Sequence, residues 1–269
     1  MTSLFAPKRR SWFAVSVALM VLAVVVYALW ASWTPWRAGR LGGLTFGTIA
    51  GVVFVLDGLY PLRRRLLAWP LGTAQRWLQF HIYSGTVALL SVFIHVGFSW
   101  PHGAMGWWLL GLSVWTVITG LFGVALQKWI PTVVAGSLRV EALATRIPEL
   151  TTRLLADADE VMRGASDRLF AAYQADIRPG LERPEPAWSY VANVHAGRAR
   201  YAKSLDSLER TVADHERVKE LTVIVTEKAE IDVHLSLQRA LRGWLVLHVP
   251  PAIVLLGLLA VHVFAVLYL

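Results

Sequence analysis

Apolar and polar positions divide the chain into four long greasy runs, one long charged stretch and a final greasy run. The runs cover Trp12 to Trp33, Leu41 to Tyr60, Leu78 to Phe98, Met105 to Gln127 and Trp244 to Leu269. Each approaches or exceeds the roughly 20 residues that an α-helix needs to cross a bilayer. Residues 1–130 therefore predict four transmembrane helices with short connections, and residues 244–269 a fifth that completes the bundle. Lys8, Arg9 and Arg10 precede the first run in the manner of a signal peptide. That run is longer than a usual signal core and ends in Trp30, Trp33 and Trp36 rather than small residues, so it is read as a retained helix.

Residues 131–243 form an insert of a different pattern. "SLRVEALATRIPELTTRLLADADEVMRGASDRLFAAYQA" places apolar residues three and four apart among charges of both signs, the signature of an amphipathic helix. The prolines of "IRPGLERPEPAW" break the run, and a second helical stretch extends from about Tyr190 to Glu220. "LTVIVT" suits either a strand or a buried turn of helix, and "EIDVHLSLQRALRGW" carries a helix into the last run. The expected fold class is all-α: a membrane bundle of five helices with a helical insert between the fourth and fifth.

Charge orients this bundle. The net charge is +8, yet seventeen of the eighteen acidic residues lie in 131–243 beside sixteen Lys and Arg, so the basic excess belongs to the apolar part. With alternating spans, Lys8, Arg9, Arg10, Arg63, Arg64, Arg65, Arg76 and Lys128 share one side, and only Arg37 and Arg40 fall on the other. The positive-inside rule then puts the N-terminus and the insert in the cytoplasm and the C-terminus on the outer face of the cell membrane. This distribution explains the high charge without nucleic acid as a partner. The absence of cysteine excludes structural disulfides, c-type haem attachment, cysteine-held iron–sulfur clusters and thiol catalysis. No glycine-rich nucleotide fingerprint appears in the insert, which argues against flavin, NAD or ATP and for a partner-docking role.

Four histidines interrupt the greasy runs. "HIYSGTVALLSVFIH" spans His81 to His95 and "HVPPAIVLLGLLAVH" spans His248 to His262, each with thirteen residues between its histidines. A step of 14 residues returns to within about 40° of the same helix face and climbs roughly 21 Å. The third and fifth spans run in the same direction, so His81 lies level with His248 and His95 with His262. Two facing imidazoles form an axial pair for one six-coordinate iron; two such pairs suit two stacked haems, one near each membrane face.

Paired helices of this spacing resemble the di-haem b-type membrane cytochromes, a group that includes the cytochrome b of quinol:cytochrome c oxidoreductases and the ferric-reductase-like transmembrane domains. The resemblance covers the third and fifth spans and the bundle around them, and it implies that His81, His95, His248 and His262 are the axial ligands of two haem b groups. The long insert and the lack of a C-terminal flavin and nicotinamide domain depart from the ferric-reductase-like pattern. What the resemblance implies is an electron-transfer subunit of a respiratory or photosynthetic-type oxidoreductase complex. Electrons would pass between quinone in the lipid bilayer and a partner, a c-type cytochrome or iron–sulfur protein. A transmembrane reductase of ferric or cupric ion or of oxygen species is the alternative. A membrane scaffold whose histidines only hydrogen-bond between helices is another.

Arg76, Arg239 and Arg242 lie close before the cytoplasmic ligands and are candidates for haem propionates or for lipid headgroups. Asp57, the only carboxylate within a span, is a candidate proton acceptor in quinone chemistry or an anchor paired with the nearby arginines. His102, in the loop after the third span, is a quinol proton acceptor, a weak metal ligand or an exposed residue. Gly43, Gly47, Gly51, Gly111, Gly120 and Gly123 suit either a macrocycle lying on a helix or close helix packing. Pro250 and Pro251 bend the last span and free backbone carbonyls, either aiming His248 or shaping the bundle. His195, His215 and His234 lack metal-ligand spacing and receive no role.

Overall fold

The computed structural model describes residues 10–61, 73–134, 147–182, 190, 196–211 and 213–268. Lys8, Arg9, Arg63, Arg64, Arg65 and His195 lie outside them. Among the described residues the fold is all-helical, and five helices are long and apolar enough to cross a membrane. The chain divides into two compact units, residues 1–126 with 244–269, and residues 127–243.

The first unit contains α1 (Arg10–Trp33), α2 (Leu41–Gly58), α3 (Ala74–His95), most of α4 (Gly103–Val134) and the last part of α9 (His215–Tyr268). Helices α1 and α2 both pack on α3. Large apolar side chains such as Leu22, Leu29, Trp108, Phe122, Ile253 and Phe264 point outward, the arrangement expected of helices whose solvent is hydrocarbon. Hydroxyls turn back onto their own helices. Ser91 donates to the Val87 carbonyl, Ser113 to Leu109 and Thr116 to Leu112, so no backbone acceptor on a neighbour is needed for them. Helix α3 ends at His95, three residues before the predicted end. Gly97 adopts φ 68° and the Phe98 N–H reaches back to the Phe93 carbonyl, closing the helix with a left-handed cap.

The second unit includes α5 (Ile147–Val161), α6 (Asp167–Ala172), a π-helical turn (Tyr173–Ile177), α7 (Arg178–Glu182), α8 (Ala196–Thr211) and the first part of α9. Its amphipathic stretch is not one continuous helix. Gly164, at φ 72°, turns the chain between α5 and α6, a conformation open to glycine because it has no Cβ. Leu169, Tyr173, Ile177 and Leu181 are all fully buried at a strict four-residue spacing. That spacing drifts about 40° per step around an α-helix. The wider π turn absorbs the drift and keeps the four on one face. They pack with Met162, Leu205, Leu208, Val218, Leu221 and Val225. "LTVIVT" is thereby settled as helix, with Leu221 and Val225 one turn apart in this core. "RPGLE" is helical too, so the break expected at Pro179 does not occur there.

Candidate functional site

Midway between His81 and His95 stands Ala88, and midway between His248 and His262 stands Leu255. Both are buried, in one cluster with Phe54. The two histidine-bearing faces therefore turn toward one shared apolar cluster at their midpoints, with His81 opposite His248 at one end.

At one end the His81 and His248 rings lie 6.2 Å apart, centroid to centroid, at 88°. Imidazoles flanking one metal ion, with metal–nitrogen bonds of about 2.0–2.1 Å, have centroids about 6.3 Å apart. At the other end the same fourteen-residue step puts His95 and His262 at matching positions of their helices. Among the described residues no group of three or more His, Cys, Asp or Glu converges as a metal site, so these are two-ligand sets.

The surroundings decide which ring nitrogens face outward. The His95 Nδ1 lies 2.8 Å from the Gly43 carbonyl, which can only accept, so Nδ1 carries the proton and Nε2 keeps its lone pair. The His248 Nδ1 lies 3.0 Å from the Thr119 hydroxyl. With its one proton directed to the Trp115 carbonyl at 2.8 Å or the Thr116 carbonyl at 3.1 Å, that hydroxyl can accept from the His248 Nδ1, an arrangement that leaves Nε2 open. The His81 Nδ1 is buried and lacks a hydrogen bond, with the Asp57 carboxylate 3.6 Å away. His262 makes no ring hydrogen bond among the described residues. Three of the four imidazoles thus turn Nδ1 to a protein oxygen and Nε2 away from it.

Helix α4 grips the His248 turn at several points. The Trp244 indole stacks on His248, with ring centroids 5.7 Å apart, and donates to the Thr119 carbonyl at 2.7 Å. A Cβ on Gly120 would approach the His248 ring to 3.3 Å, and one on Gly123 would overlap the Trp244 ring. Pro251 has no N–H for the Leu247 carbonyl four residues back, and the Trp115 indole supplies that missing donor at 2.9 Å. The two prolines are accommodated inside a continuous helix, and the carbonyl freed beside His248 becomes an anchor to α4.

Helix α2 serves the other histidines. Gly47 makes room for the His95 ring, since a Cβ there would come within 2.7 Å of Nδ1, and Gly51 faces Leu259. Of the two readings of these glycines, close packing against neighbouring side chains accounts for Gly47, Gly120 and Gly123, whereas a Cβ at Gly51 would make only ordinary contact. Around Gly111 there is open space. The Trp36 indole donates to the His95 carbonyl at 3.4 Å.

Asp57 is buried, and its Oδ1 accepts from the Ser84 hydroxyl at 2.7 Å while facing His81. It belongs to the histidine site. The arginines considered as its partners, Arg63, Arg64 and Arg65, lie outside the described residues. Arg76 is exposed at the start of α3, and Arg239 and Arg242 are exposed in the second unit. None of the three forms an ion pair among the described residues. His102 is exposed ahead of α4 and does not join the four. Thr119 and Ser84, which sequence reasoning did not single out, are one-turn hydroxyls with no periodicity to mark them.

Comparison with protein-family models, with curated proteins and with solved structures finds no match to this chain.

Proposed function

We propose that the chain is a di-haem b-type membrane cytochrome. In this reading His81 with His248 and His95 with His262 are axial ligand pairs, and the protein relays electrons across the bilayer between quinone and a partner redox protein. The observation that carries the reading is the matched placing of two imidazole pairs at opposite ends of one helix pair, one pair facing at 6.2 Å, with Nε2 left open by the hydrogen bonds on Nδ1. Metal-binding histidines are usually held in this way through their other nitrogen. Bound there, haem supplies a one-electron carrier whose iron has no vacant position, suited to relay rather than to oxygen binding.

The residues of the chain do the rest. Thr119 and Gly43 set the tautomers, while Gly47 and Gly120 admit the rings. Trp244 and Trp115 hold the His248 turn, and Phe54, Ala88 and Leu255 keep the interior between the two levels apolar. A groove of about 620 Å³ between α4 and α9, lined by Trp107, Trp108, Gly111, Trp115 and Pro251, offers indole faces to a flat apolar ring and supports quinone as the lipid-side reactant. Arg76 is the candidate propionate partner in the same unit as the histidines.

A reduced-minus-oxidised absorption spectrum of the purified protein, with a pyridine haemochrome assay, tests this reading. Two b-type haems per chain are expected, and one after His95→Ala. A chain that binds none when expressed with ample haem returns the histidines to a packing role and the protein to the scaffold class.

A further inference from the structure

The two histidine levels differ in what backs the imidazole. The ring of His95 is backed by a neutral carbonyl and that of His248 by a neutral hydroxyl, whereas His81 faces a carboxylate. Asp57 is 8% exposed on a helix apolar enough to cross a membrane, where an isolated carboxylate is expensive to keep. Among the described residues no Lys or Arg pairs with it. Its side-chain contacts are the Ser84 hydroxyl and the His81 ring, and both meet the same oxygen, Oδ1. On the ring side, the His81 Nδ1 is a buried donor without a hydrogen bond, 3.6 Å from that oxygen. Buried polar atoms are rarely left so, and here the nearest acceptor is the Asp57 Oδ1.

We propose that Asp57 is a positioning residue that makes the His81–His248 site the more reducing of the two, so that electrons run downhill toward the His95–His262 site. This rests on the haem reading above. Were the His81 Nε2 given to an iron, its Nδ1 would carry the proton, and the Asp57 carboxylate, 3.6 Å away, would be the acceptor nearest to it. A carboxylate acceptor raises the electron donation of the imidazole and adds negative charge, both of which favour the ferric state over the ferrous. The Gly43 carbonyl behind His95 supplies no net charge. Ser84 shares its one hydroxyl proton between the same Oδ1 at 2.7 Å and the Phe80 carbonyl at 2.5 Å, and so restrains the carboxylate and quenches part of its effect.

Potentiometric titration of the purified, haem-loaded chain is the test, followed in the absorption of the two haems. Two one-electron waves are expected, and the single wave that remains in His95→Ala should be the lower of them. Asp57→Asn should move the lower wave upward and leave the upper wave in place; Ser84→Ala should move the same lower wave further down. Opposite shifts from two neighbouring substitutions distinguish charge tuning from a general loosening of the bundle. If Asp57→Asn fails to load haem, the direction of the Ser84→Ala shift decides. An unmoved lower wave, equal shifts of both waves, or an upward shift in Ser84→Ala overturns the role of Asp57 while leaving the cytochrome intact. A wild-type chain with no haem overturns the function itself.

Discussion

The two units of this chain bury their polar groups in opposite ways. In the unit of residues 127–243 an apolar core is sealed inside and charges are either solvated or closed into pairs, as with Lys228 and Asp232 at 2.7 Å. In the apolar unit large hydrophobic side chains face outward, and the interior holds imidazoles, hydroxyls and one carboxylate. The contrast teaches which solvent each was built for. Among the described residues, the second unit turns nearly all its charged side chains outward and pairs the two it buries; the first turns large apolar side chains outward, and its inner polar groups find partners among the helices.

The largest effect that tests this contrast is expected from the water-type core. Leu221→Ala removes a fully buried side chain and should destabilise its unit by about 2–5 kcal/mol. Hydrogen exchange of the full chain should speed up in 147–182 and 196–235 but not in α2 and α3; equal acceleration in both units would show that they are not separate. A smaller effect is expected from Thr119→Val, which keeps the shape and removes the acceptor for the His248 Nδ1. Loss of such an outer partner typically weakens metal affinity about 10–100-fold. The haem retained through dilution should fall at the His81–His248 level alone, and retention equal to wild type would dismiss Thr119 as a mere helix hydroxyl.

The smallest effect belongs to Asp159. The Tyr173 hydroxyl at 2.6 Å, and then Arg178 at 3.3 Å, hold its carboxyl below the ordinary range despite some burial. In turn, burial and this carboxylate push the Tyr173 phenol up. A depressed carboxylate contributes stability that is present above its unfolded pKa and lost as pH falls through the folded one. Tyr173→Phe should therefore flatten the acid limb of this unit's stability curve. After discounting for the partial exposure of Asp159, the loss at neutral pH is about 0.5–1 kcal/mol. Exchange rates measured from neutral to acid pH check it, and an unchanged acid limb would assign the dependence to other carboxylates.

Much of the apolar unit was legible because its constraints are periodic. Run length gives the helices, and the fourteen-residue histidine step gives two faces whose midpoints, Ala88 and Leu255, do share one cluster. Helix ends were less legible, since the stop after His95 depends on a left-handed Gly97 rather than on hydropathy. Of the partners of the histidines only Asp57 was legible, as the one carboxylate within a span. Thr119 is one hydroxyl among several, and a carbonyl such as that of Gly43 has no residue type. In the second unit, the turn at Gly164 and the π turn at Tyr173 were hidden because local amphipathicity continues through both.

The apolar layer of Phe54, Ala88 and Leu255 bears on what else crosses the bilayer. Between the two imidazole levels it provides no side chain able to pass a proton, and Ser91 nearby is tied to its own helix. On the proposed haem reading, electrons would tunnel across this layer, while its three side chains offer a proton no polar step. A bundle filled this way would charge a membrane capacitor without discharging it through the same layer.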